Sequence, residues 1–255
     1  MSDNVVLVEV ADGVMTITLN RPKAKNAANK ALAEGVAAAI DQLESNDGLR
    51  VAIITGAGGT FCSGMDLKAF VTGELPTVEG KGFAGLCEAT IGKPVIAAVE
   101  GYALAGGFEV AISCDLIVAA EDAKFGIPEV KRGLAAGAGG LVKLPKQIPS
   151  RVAMELALTG DFISAQRAYE LGLINQVVPS GGALEAARAL AAKIAANGPL
   201  AVAVSKQVVA AAQDWSTSEM FREQTKIIQP VFTSEDAIEG ATAFAEKRAP
   251  VWKGR

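Results

Sequence analysis

The stretch that most constrains the fold of this chain runs from Lys93 to Leu116. Val95–Val99 is a short apolar run bounded by Pro94 and Gly101, which suits a buried strand. Ala105-Gly106-Gly107 then removes side chains where a backbone has to come close to something. A helix beginning at about Gly107 points free N–H groups and the positive end of its dipole into that gap, with Glu109 in its first turn. Such a junction suits oxyanion stabilisation, although a glycine turn followed by a helix-dipole glutamate has the same local pattern.

The rest of the chain supplies several such units. Val5–Val10 and Val14–Leu19 flank Asp12-Gly13, a hairpin signal, and Asn29 is placed to cap a helix over Lys30–Ser45. Val51–Thr55 is a short strand leading to a second glycine-rich loop, Gly56–Gly64, after which Asp66 reads as the N-cap of a short helix. The Met65 and Leu67 N–H groups then lie at a helix start beside glycines, like those at Gly106. Residues 71–80 read as a mobile loop, and a helix is expected from there to about Ile91, with Phe83, Leu86 and Cys87 on its apolar side. Pro128 places Glu129 at the entry to a turn or helix, where a first-turn charge or an ion pair with Lys131 or Arg132 is the simplest local reading. From Pro149 onward helices dominate, at about 150–158, 164–171, 182–196, 199–212, 217–228 and 235–247, interrupted by the apolar piece Ile174–Val178. Lys206 and Asp214 read as solvated charges, and Asp115 as structural.

Composition removes several chemistries. The chain of 255 residues contains no histidine, which excludes Ser-His and Cys-His pairs and leaves acid–base work to carboxylates, lysines, tyrosines or shifted thiols. Cys62, Cys87 and Cys114 lack metal-ligand spacing and read as free or buried thiols of a reducing compartment, so no metal site is expected. A dinucleotide cofactor is also not expected. The G-x-G-x-x-G pattern from Gly56 meets Phe61, and neither Tyr102 nor Tyr169 is followed by lysine four residues on. The formal charge of −4 gives no footprint for nucleic acid or an anionic membrane. With no signal-peptide core and no apolar run near the roughly 20 residues of a membrane span, a cytoplasmic protein is expected.

Taken together, these motifs resemble the enoyl-CoA hydratase/isomerase (crotonase) superfamily. The resemblance runs from Ile17–Pro22 through Phe61–Leu67, Ile96–Gly101, Ala105–Gly107, Cys114–Leu116, Phe125–Glu129 and Gly137–Gly140 to Phe244–Arg248. It implies an α/β fold, a spiral of ββα units over residues 1–195, followed by a helical oligomerisation region over 196–255 that assembles a homotrimer or a dimer of trimers. Carried over by position, it places oxyanion-hole N–H groups on Met65 and Gly106. Glu109 and Glu129, 20 residues apart, match the hydratase branch's pair of glutamates. Lys23, Ala24, Lys25, Met65, Asp66, Leu67, Lys68 and Gly106 fall where the CoA moiety is held, and Lys247 is a further contact, from a neighbouring subunit in the assembled oligomer. The activity implied is hydration of a 2-enoyl-CoA thioester to 3-hydroxyacyl-CoA, with CoA as part of the substrate and no separate cofactor. The neighbouring expectations are isomerisation or dehydration on the same scaffold, and a non-catalytic or RNA-binding relative.

Overall fold

A computed structural model of the chain describes residues 4–255. The chain opens with the hairpin β1 (Val6–Ala11) and β2 (Val14–Leu19), whose two-residue turn has positive φ at both Asp12 and Gly13. Helix α1 (Lys30–Ser45) follows, and Asn29 caps it by accepting the Leu32 N–H. Next come β3 (Val51–Gly56), the short helix α2 (Leu67–Val71) and the small antiparallel pair β4 (Thr77–Val78) and β5 (Gly82–Phe83). The central unit is β6 (Val95–Val99), β7 (Tyr102–Leu104) and α3 (Gly106–Ala111), and the next is β8 (Leu116–Ala120) and β9 (Lys124–Gly126). A 3-10 turn over Pro128–Arg132 leads to α4 (Gly140–Gln147) and α5 (Ser150–Thr159). Then come β10 (Ile163–Ser164), α6 (Ala165–Glu170), β11 (Gln176–Val178) and α7 (Ala183–Ala195). The chain finishes with α8 (Pro199–Ala212), α9 (Met220–Phe232) and α10 (Glu235–Glu246).

These elements form a spiral. The main sheet has the order β1-β2-β3-β6-β8-β11, parallel except for the first hairpin, and a second sheet has the order β10-β9-β7. Strands β6 and β8 each turn sharply into a strand of the second sheet, and the loop after β3 does so through a single parallel bridge, Cys62 to Ala103. The ββα spiral expected from the resemblance is therefore the fold observed.

Strands β3 and β6 are buried along both faces, which explains why they read as continuous apolar runs. One face, with Ala52, Ile54, Ala97 and Val99, packs into the core containing α1 and α3. The other, with Val51, Ile53, Ile96 and Ala98 and joined by Val118 of β8, lies under Ala183, Ala187 and Ala191 of α7. The alanines repeat every fourth residue, so a smooth helical face approaches the sheet closely.

Several expectations are corrected. The helix expected up to about Ile91 does not form; Gly82–Phe83 is strand β5, and the chain then runs through a series of turns, because Ala84 and Gly85 both have positive φ. A Cβ on Gly85 would stand 2.2 Å from the Ala33 carbonyl oxygen of α1, so this segment wraps tightly around that helix. Helix α9 starts later than expected, because Ser216–Glu219 is held as a turn by the Ser216 hydroxyl and the Glu219 carboxylate, and it runs on to Phe232. Lys206 is not a solvated charge. It pairs with Asp115 at 2.8 Å and donates to the Lys93 carbonyl, while Asp115 also accepts the Val95 N–H, so α8 is tied to the start of β6. Asp214, by contrast, pairs with exposed Lys146. No single described helix is long and apolar enough to cross a membrane.

Candidate active site

The site lies where the second sheet meets the first turns of α2 and α3. Ala105 adopts φ 52°, ψ −131°, a conformation that costs an L-residue energy and turns the chain abruptly from β7 into α3. The following positions have no room for a side chain. A Cβ on Gly106 would stand 2.4 Å from the Phe83 ring, and one on Gly107 would stand 2.1 Å from the Cys62 carbonyl oxygen. The neighbouring loop is equally close: a Cβ on Gly64, whose φ is +104°, would lie 3.3 Å from the Gly106 nitrogen. The Met65 and Gly106 N–H groups are thereby brought beside one cavity, and neither has a protein acceptor among the described residues.

That cavity has a volume of about 560 Å³. Met65, Leu67, Phe70, Leu75 and Phe83 line one side, and Leu134, Ala135 and Phe162 contribute apolar surface elsewhere. Glu109 and Glu129 both face it, together with Glu88 and Arg132. A mainly apolar pocket with a few converging polar groups is the usual form of a small-molecule site.

The two glutamates sit in different surroundings. Glu109, on α3, is 3 % exposed, and its Oε1 accepts N–H groups of Ala138 and Gly140, each at 2.8 Å, at the start of α4. Burial raises its pKa above the ordinary glutamate value, and the two N–H donors and the nearby Lys143 ammonium offset that rise only in part. Glu129 follows Pro128 in the 3-10 turn, and its Oε2 is buried without a hydrogen-bond partner among the described residues. Burial is the main cause that pushes its carboxyl up to about 7; its own backbone N–H pulls down next, the Glu109 charge adds to the rise, and Arg132 opposes it least. Glu129 does sit in the first turn of that 3-10 segment, but the expected ion pair is not made: Lys131 turns away to Asp161 at 2.7 Å, and Glu129 pairs with neither Lys131 nor Arg132 among the described residues.

The residues singled out for CoA divide into groups. Lys23 and Ala24 lie in a 3-10 turn on a second cavity of about 660 Å³, and Lys25 holds its ammonium 5.3 Å from the centre of the Tyr102 ring. Leu67 joins Met65 and Gly106 at the main cavity, whereas Lys68 is exposed on α2. Asp66 is committed elsewhere. It caps α2 by accepting the Lys68 and Ala69 N–H groups and pairs with Arg21 at 2.9 Å, and the Arg21 hydrogen bond holds its carboxyl below the ordinary range. Lys247 ends α10 in a left-handed conformation, is exposed, and does not line the main cavity.

Arg21 and Asn26 were not legible as site residues from sequence. Arg21 bridges Asp66 and the Ala27 carbonyl, and fully buried Asn26 holds the loop after β3 through the carbonyls of Ala57 and Thr60. Together they clamp the Lys23–Lys25 turn against the Met65 loop. Among the described residues no cluster of histidine, cysteine, aspartate and glutamate has the form of a metal site.

A spiral α/β fold with paired N–H donors and two carboxyl groups in one cavity defines a class of site built for acyl thioester chemistry. A family model described as enoyl-CoA hydratase/isomerase matches residues 9–255, and the chain belongs to that family. It is 60 % identical to an enoyl-CoA hydratase from Mycobacterium tuberculosis H37Rv whose crystal structure superposes with a TM-score of 0.97, covering 99 % of this chain and 100 % of the other. A carnitinyl-CoA hydratase structure from Mycobacterium avium is 45 % identical, with a TM-score of 0.79 and full coverage of both chains. A carnitinyl-CoA dehydratase of Salmonella typhi is 44 % identical over 250 residues, 95 % of each chain.

Proposed function

We propose that this protein adds water across the 2,3 double bond of a 2-enoyl-CoA thioester to give the 3-hydroxyacyl-CoA, a hydro-lyase reaction. The observation that carries this reading is the convergence of two free N–H groups and two differently buried carboxyl groups on one cavity. Water attack at the β-carbon drives electron density onto the thioester oxygen. Met65 and Gly106 would stabilise that developing enolate with donors already in place, and losing one such donor typically costs about 3–4 kcal/mol. Glu109, whose carboxylate form the Ala138 and Gly140 N–H groups favour, takes a proton from the water as the water oxygen bonds to the β-carbon. Glu129, whose raised pKa favours the acid form, delivers its proton to the α-carbon. The reaction leaves Glu109 protonated and Glu129 ionised, and exchange with solvent restores the starting pair.

Glu109→Gln and Glu129→Gln should each lower crotonyl-CoA hydration at least ~100-fold, measured by loss of the conjugated enoyl absorbance. Near-normal turnover in either variant would sink the mechanism.

The dehydratase relative supports a second reading, the same steps run backwards on a 3-hydroxyacyl-CoA such as carnitinyl-CoA. Assays of several acyl-CoAs with product masses separate the readings, because hydration adds water, dehydration removes it and isomerisation leaves the mass unchanged. Binding of CoA itself would draw on the Lys23–Lys25 turn and the Met65–Lys68 segment.

A further inference from the structure

We infer that Lys143 is a positioning residue that holds Glu109 in its ionised, reactive state from behind the cavity. The inference rests on the reading of Glu109 as the base. Lys143 lies one turn into α4, the helix whose first N–H groups bind the Glu109 carboxylate. Its stem folds back over Gly139, where a Cβ would stand 3.2 Å from both Cδ and Cε, so the glycine leaves the space in which the side chain lies. From there its ammonium donates to the Ser113 hydroxyl at 2.7 Å and to the Cys87 carbonyl. The Ser113 hydroxyl in turn donates at 2.6 Å to the backbone carbonyl of Glu109. Glu109 is therefore gripped at two points by α4: at its carboxylate by the helix N-terminus, and at its carbonyl through Ser113 and Lys143.

The arrangement has an electrostatic consequence as well as a mechanical one. The charged groups facing Glu109 are few. Glu129 approaches from the 3-10 turn with Arg132 beside it, Cys87 from the turns after β5, and Lys143 from α4. The Cys87 thiol is pushed up to about 12 by burial and stays neutral. Lys143 is thus the cation set against the desolvation of Glu109, and Glu129 in its acid form adds no opposing charge. A nearby cation favours a carboxylate, and because Lys143 ranks after burial and the two N–H donors in its pull on Glu109, its effect is at most about one pH unit.

The test is the pH dependence of kcat/KM for crotonyl-CoA in Lys143→Gln, which keeps the hydrogen-bond donor and removes the charge. The acidic limb should move upward by up to about one unit, giving up to roughly a tenfold loss below the limb and much less above it, and Lys143→Arg should return the limb towards the wild-type position. A rate lowered equally at every pH, or an unaltered profile, would overturn the inference. Should Lys143→Gln be recovered unfolded, Ser113→Ala carries the test: an upward move of its acidic limb supports the coupling and an unmoved limb overturns it. Glu109→Gln keeps the two layers apart. Substantial turnover in that variant refutes the base assignment itself, whereas an inactive Glu109→Gln beside an unmoved Lys143→Gln limb refutes the positioning role alone.

Discussion

Glu129 combines a buried, unpartnered carboxyl oxygen with a pKa near 7, and that pairing has two separable effects. In catalysis the acid form is the one that donates, so kcat/KM for hydration should fall as pH rises through about 7, the alkaline limb of a bell whose acidic limb belongs to Glu109. In folding, a carboxyl whose pKa is raised above its unfolded value contributes stability below the ordinary glutamate range. That contribution is lost as pH climbs through the folded value. Glu129→Gln removes this titration. Relative to the wild type, its thermal midpoint should therefore improve more at about pH 8.5 than at about pH 5, while its activity is lost at both. A difference in midpoint that does not change with pH would count against a raised Glu129.

At the scale of elements, the junction between β7 and α3 depends on atoms that are absent. Gly107→Ala places a methyl carbon where the Cys62 carbonyl already stands, so the bridge between Cys62 and Ala103 has to break or α3 has to move. The expected result is a variant that is recovered poorly or melts well below the wild type, a change readable by circular dichroism. Overpacking a core typically costs about 1–3 kcal/mol, and a backbone clash leaves less room to relax than a side-chain one. Much of this junction was legible in the sequence, because Val95–Val99, Ala105–Gly107 and Glu109 carry local signals for a strand, a close approach and a helix start. Helix α1 was legible for the same reason, with its asparagine cap and its apolar repeat. Strands β7 and β9 were not, since each is three residues long and exists only through partners distant in the chain. The same limit hid the Glu109 contacts with Ala138 and Gly140, which span 29 and 31 residues, and the Lys206–Asp115 tie between α8 and the strand layer. Residues 82–91 misled because their apolar spacing imitates a helix while Ala84 and Gly85 take left-handed turns.

Over the whole molecule, the helices at the C-terminal end leave large apolar side chains in solvent. Val209, Phe221, Phe232, Ile238 and Phe244 are between 67 % and 88 % exposed, a density at which burial against another copy is expected. Sedimentation should show a species of three or six chains, and charged substitutions at Phe221 and Phe232 together should shift it to smaller ones. A monomeric wild type at micromolar concentration would contradict this assembly. The three cysteines, meanwhile, lie buried in three separate parts of the same body: Cys62 in the loop after β3, Cys87 within the turns that wrap α1, and Cys114 just before β8. Burial raises all three thiols far above neutrality, so none offers a thiolate to an alkylating reagent while the fold is closed. Each sulfur is consequently a silent clock for the opening of its own layer. The order in which the three become modified records the order in which the spiral comes apart.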